Sequence, residues 1–164
     1  MKITFEVNSP NEFKKNQIEE FLNLLILQKQ VSNPSIQKIN ASTLICIVYA
    51  DNVAIGIGAI KQVYKTPFDK AEVSELKDKF EFELGYLYVK DCKKYRGLGI
   101  GKTICKLLLK ELGNKNVFAT TDIDEKNVMK YILESLSFVK TGKIYSGAST
   151  QKSIGLYLKE YASS

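Results

Sequence analysis

The sequence predicts one α/β domain, and three observations carry that reading. Period-two apolar runs and helical-period stripes alternate along the chain. A glycine-rich turn, Gly97-Leu98-Gly99-Ile100-Gly101, joins a strand-like run to a helix-like one. The length of 164 residues, 45% of them apolar, suits a single sizeable core, and no linker divides residues 1–164.

Each element has a local reason. Ile3, Phe5 and Val7 alternate as a first strand. Ser9-Pro10-Asn11-Glu12 fits a capping box with proline at the first helical position. The helix it opens carries Phe13, Ile18, Phe21, Leu22 and Leu25 on one face and ends near Gln28 to Gln30. Residues 31–42 are polar and read as a loop with room for a short helix. Thr43–Ala50, the turn Asp51-Asn52 and Val53–Val63 make a hairpin, in which Gly56 and Gly58 mark a bulge or a close backbone approach.

Residues 64–80 are charged, with Pro67, Val73, Leu76 and Phe80 at near-helical spacing. Phe82–Val89 is a strand leading into the glycine turn. The following helix buries Ile100, Ile104, Cys105, Leu107 and Leu108 and stops at Gly113, a natural C-terminal cap. Val117–Ile123 reads as a strand, and Asn127–Leu136 as a helix with Val128, Met129, Ile132, Leu133 and Leu136 on one stripe. Phe138–Tyr145 and Ser153–Tyr161 close the chain as a strand pair.

Composition narrows the chemistry. A net charge of +6 comes from lysines scattered along the chain, without an aromatic-studded basic stripe, so nucleic acid is not the expected partner. No histidine is present, which excludes a histidine-based triad. Cys46, Cys92 and Cys105 are spaced for neither a disulfide framework nor zinc, and no metal is expected. The N-terminus alternates like a strand and lacks a signal-peptide core, and no run reaches the ~18 apolar residues of a membrane span. A reduced, cytoplasmic setting with no membrane partner is the expectation.

The turn Lys93-Lys94-Tyr95-Arg96-Gly97-Leu98-Gly99-Ile100-Gly101-Lys102 is the most informative stretch. Glycines let the backbone approach a ligand, and helix N-terminal N–H groups with nearby cations suit a pyrophosphate. Spacing separates the families that use such turns. A nucleotide P-loop needs glycine where Arg96 stands, and the dinucleotide pattern needs glycine where Lys102 stands. The pattern [RQ]-x-x-G-x-[GA] is met by Arg96, Gly99 and Gly101.

On these residues, and on the order of elements over nearly the whole chain, the sequence resembles the GNAT family of N-acetyltransferases. The resemblance implies the GNAT acyl-CoA N-acyltransferase fold, a central mixed, mostly antiparallel sheet flanked by helices. It implies acetyl-CoA as cosubstrate and a primary amine, on a small molecule or a protein, as acceptor. It assigns cofactor contacts to Leu87, Tyr88, Val89, Lys94, Tyr95, Arg96, Gly97, Leu98, Gly99, Ile100, Gly101, Lys102 and Asn127. Glu83, six residues before Val89, matches the catalytic glutamate of histone-type members, and Leu136-Ser137-Phe138 approximates the family's Leu-Gly-Phe.

Amine attack on a thioester needs a neutral amine, hence a base, and a carboxylate desolvated by Phe82 and Leu84 suits that task. Glu81 would share Glu83's face in a regular strand, so a solvated strand residue is the competing reading. The family's Val89 N–H would face the oxyanion. The usual leaving-group tyrosine is missing, its place taken by Leu133 or Glu134. Tyr131, one turn after Asn127, is the remaining candidate acid, against a plain surface tyrosine. A non-catalytic acyl-CoA-binding module of the same fold is the alternative. Oligomeric state is not legible, a homodimer being allowed.

Overall fold

The structure, a computed structural model, describes residues 1–147 and 151–161. In chain order its elements are β1 (Ile3–Asn8), α1 (Lys15–Gln28), α2 (Ile36–Asn40), β2 (Leu44–Ala50), β3 (Val53–Lys61), α3 (Thr66–Lys70), β4 (Phe82–Val89), α4 (Ile100–Leu112), β5 (Val117–Asp122), α5 (Val128–Ser135), β6 (Val139–Ser146) and β7 (Ser153–Lys159). Contacts group the chain into two compact units, Met1–Gln62 with Leu84–Gly113, and Val63–Glu83 with Asn114–Ser164. The seven strands and flanking helices are the mixed α/β architecture the sequence predicts.

In the first unit the strands neighbour one another as β1-β2-β3-β4. The β2–β3 hairpin turns on Asp51 (φ 48°) and Asn52 (φ 68°), the two positive dihedrals that a tight two-residue turn needs. Alternation along β3 then splits the core. Ile57 and Ala59 join Phe21, Leu25, Ile39, Ile45 and Ile47 in one cluster with α1 and α2. Gly56 and Gly58 point the other way, toward α4. A Cβ on Gly58 would lie 2.5 Å from Ile104 Cγ2, so α4 sits directly on the strand backbone. Both readings of these glycines hold, because the ladder also slips here, pairing Val48 with Gly56 and Tyr49 with Ala54.

In the second unit the order is β4-β5-β7-β6, where β4 meets β5 in parallel at Phe82↔Val117 and Glu83↔Phe118. The β5–β7 and β6–β7 ladders are antiparallel. The core is Phe68, Ala71, Phe80, Phe118, Leu156 and Leu158, with Phe68 edge-on to Phe118 at 4.9 Å between centroids.

Three local expectations need correction. The capping box at Ser9 does not form: Ser9 Oγ bonds Asn11 Oδ1 (2.7 Å), and Pro10–Glu12 make only a 3₁₀ turn. Phe13 is extended, and α1 starts at Lys15, with Gln17 Oε1 accepting the Lys14 N–H at 3.0 Å. Residues 64–80 form two short helical pieces, because Glu72 takes φ 60° between them. On α5 the stripe is narrower than expected, since Leu133 is buried while Val128 is 67% exposed.

Candidate active site

The glycine turn is built by dihedrals. After a 3₁₀ turn at Lys93–Tyr95, Gly97 (φ 73°) and Gly99 (φ 67°) reverse the chain into α4, with Gly99 as its N-cap. A Cβ on either glycine would meet no described atom within 4 Å. Glycine is required there for backbone conformation, and the space beside it is open. The first amides of α4, at Ile100, Gly101 and Lys102, have no intrahelical acceptor by geometry, and no described side chain caps them. Thr103 is the first satisfied residue, its N–H and hydroxyl both donating to Gly99 O at 2.9 Å.

Cations flank these donors. Lys93, Lys94 and Arg96 are exposed, and Lys94 lies over the Tyr95 ring at 5.5 Å. Arg96 is held by Asp91, through Nη2 at 2.6 Å and Nε at 3.0 Å to the same carboxylate oxygen. Open backbone donors at a helix start, with cations beside them, fit the pyrophosphate of CoA. Asp91 was not singled out from sequence, although an aspartate five residues before the motif arginine is the signal that points to it.

The strand entering the turn is distorted. Tyr86, 4% exposed, takes φ 56°, a conformation rare for a bulky residue. Beyond it the Leu87 carbonyl accepts Gln28 Nε2 at 2.9 Å. The Lys90 N–H donates to Ile55 O at 2.8 Å. Backbone groups alternate along a strand, so Val89, one residue earlier, turns its N–H to the edge away from β3. Tyr88 packs against the α1 cluster. Neither Gln28 nor the Tyr86 distortion was foreseen. The flanking Gly85 was a faint hint of the distortion.

In the second unit Glu83 is 6% exposed, one of two buried polar residues among those described, whereas Glu81 is exposed. The Tyr64 N–H approaches Glu83 Oε1 at 3.5 Å. Tyr145 on β6 has its phenol pushed up to about 12, mainly by burial and further by the Glu83 charge, and so stays protonated across the working range. Tyr64 and Tyr145 were not identified from sequence.

Asn127 caps α5. Its Oδ1 accepts the Met129 N–H at 3.1 Å, and its Nδ2 donates to Thr121 Oγ1 at 2.8 Å and Asp122 O at 2.5 Å. Both amide protons are thereby used inside the protein. Tyr131 is 49% exposed, and its phenol donates to Glu125 O at 2.9 Å. The residues of the turn and of Leu87–Val89 therefore gather in the first unit, and Glu83, Asn127 and Tyr131 lie in the second.

The profile described as the Acetyltransferase (GNAT) family matches residues 11–138. No curated protein matches the sequence. Solved structures share the fold. Arabidopsis thaliana NAA60 in complex with acetyl-CoA is 16% identical, with a TM-score of 0.68 over 98% of this chain and 100% of that one. Escherichia coli ElaA is 14% identical, with a TM-score of 0.66 over 95% and 99% of the two chains. A chain of the NatC complex bound to Gag peptide and CoA is 14% identical, with a TM-score of 0.70 over 99% and 100%. With most of its length matched, the chain belongs to the GNAT acetyltransferase family.

Proposed function

We propose that the protein is an acetyl-CoA-dependent N-acetyltransferase that passes an acetyl group to a primary amine by direct attack. The observation that carries this reading is the burial of Glu83 on the strand that runs on to Val89, while Glu81 stays in water. A surface carboxylate needs no such position, whereas a base for an ammonium proton gains from desolvation. Glu83 takes the proton from the attacking amine. The Val89 N–H faces the carbonyl oxygen as charge builds on it. The amides of Ile100, Gly101 and Lys102, with Arg96 and Lys94, hold the pyrophosphate, whereas Asn127, its amide protons spent on Thr121 and Asp122, shapes the start of α5 rather than donating to the ligand. When bound, acetyl-CoA supplies the activated acyl group.

Tyr131 would have to leave Glu125 O before its phenol reached a thiolate, which favours a minor role for it. Thiolates leave without much help, since a free thiol has a pKa near ~8.5. A cytoplasmic location belongs to the same proposal and rests on the cysteine spacing.

The test is a calorimetric titration with acetyl-CoA and, separately, ATP, followed by a screen of amines with detection of released CoA. Peptide N-termini belong in that screen beside lysine, polyamines and aminoglycosides. Binding of acetyl-CoA with turnover of one acceptor class is expected. Binding without turnover of any amine would leave a holding module, and binding of ATP alone would end the reading.

A further inference from the structure

The contact between α1 and β4 bears on how the thioester is held, a role that rests on acetyl-CoA being the cosubstrate. Gln28 is the last residue of α1, and its Nε2 donates to Leu87 O at 2.9 Å. Its Oε1 is buried and accepts no hydrogen bond from any described residue. A buried acceptor left without a partner destabilises the fold. The amide is therefore retained here for its N–H, at the expense of its oxygen.

The bond falls one residue beyond Tyr86, whose positive φ is the strained point of β4. A bulky residue stays in that region only where its surroundings impose it. Gln28 supplies part of that constraint by fixing the next carbonyl. Groups two residues apart point to the same edge of a strand, so the Leu87 carbonyl and the Val89 N–H share an edge. Opposite them, Lys90 is tied to Ile55 O. The stretch from Leu87 to Lys90 is thus pinned at both ends with one amide, that of Val89, turned outward between the pins.

We infer that Gln28 is a positioning residue: it sets the direction of the Val89 N–H and so gives the protein its preference for an acyl thioester over the free thiol. Free CoA has no carbonyl for that amide, so the two ligands separate this role from the grip on the phosphates.

The experiment titrates wild type, Gln28→Met and Gln28→Leu with acetyl-CoA and with CoA, alongside thermal unfolding of each. Wild type is expected to favour acetyl-CoA by about two- to tenfold, the worth of one net hydrogen bond. In both variants that ratio should fall to near one, with CoA affinity kept and the melting temperature little changed, because the buried orphan oxygen leaves together with the bond to Leu87 O. A ratio preserved in the variants, or already one in wild type, overturns the role. So does a parallel loss of both affinities and of melting temperature, which marks a structural residue. Wild type binding neither ligand would instead bring down the cofactor reading, and this role with it.

Discussion

The glycine turn and the surroundings of Glu83 solve opposite problems. The turn binds charge by staying open: its glycines have free space around them, its cations are exposed, and its donors are unsatisfied helix amides. Glu83 is closed in at 6% exposure, with the neutral phenol of Tyr145 as a polar neighbour. An anion site gains from fixed dipoles that a large ligand can reach. A base gains from losing water, which brings its proton affinity nearer that of its target. Binding and proton transfer should therefore come apart under mutation.

The largest effect tests that separation. Glu83→Gln keeps shape and removes the proton acceptor, so turnover should fall by ~10²–10⁴ while acetyl-CoA affinity stays. The loss should shrink at high pH, where free amine is already present. Glu81→Gln, two positions away and in water, should change neither quantity. Equal losses in the two variants, read from initial rates at saturating acetyl-CoA, would erase the contrast that burial draws between them.

Arg96→Ala comes next. A charge-assisted contact to phosphate is worth roughly 1.5–3 kcal/mol, and calorimetry should show that loss with folding intact. Turnover at saturating acetyl-CoA should hardly move, the mirror image of Glu83→Gln. A variant that binds normally but turns over slowly would exchange the roles assigned to the two regions.

Two glycines sharpen the comparison further, since they are glycine for different reasons. Gly58→Val drives a Cβ to 2.5 Å from Ile104 Cγ2, a branched and stiff neighbour, so overpacking of ~1–3 kcal/mol should appear as lost stability. Gly99→Val meets open space but is forced to a left-handed dihedral, at ~1–2 kcal/mol. Thermal unfolding and acetyl-CoA titration of both should give a melting loss with binding kept for Gly58→Val. For Gly99→Val a binding loss should exceed the melting loss. The reverse pattern would mean that the turn is structural.

These regions were not equally legible. The turn could be read because its requirement is written in one contiguous stretch: glycine for dihedrals, then a helix pattern, with arginine at fixed spacing. The order of elements along the chain was legible for the same reason, each element carrying its own period, while the order of strands in the sheet has no such local signature. Glu83 was readable as a candidate, but its burial was not, since a regular strand would have put Glu81 on the same face. What separates them is tertiary: Glu83 stands against Phe118 in the ladder, while Glu81 lies before the strand begins. Gln28 and Tyr86 were invisible because their partners lie far along the chain, or because the conformation belongs to the assembled sheet. The helix start failed for a smaller reason. Ser9 found a side-chain partner in Asn11, and local competition of that kind has no signature in the pattern.

The smallest effect concerns Asp91, which occupies Arg96 before any ligand does. The two side chains are 63% and 79% exposed, arginine first, so their pairing is worth at most about 1 kcal/mol. To grip a phosphate, Arg96 must share or leave that carboxylate. Asp91→Asn should therefore raise acetyl-CoA affinity, by no more than about fivefold, and most at low salt, where the competing charge is least screened. The gain should vanish in the Arg96→Ala background, because Asp91 acts on the ligand through Arg96. An unchanged gain there would mean plain repulsion between Asp91 and the phosphates. An affinity that falls in Asp91→Asn would mean instead that the carboxylate orients the guanidinium for binding, and that the turn is preorganised by an anion of its own.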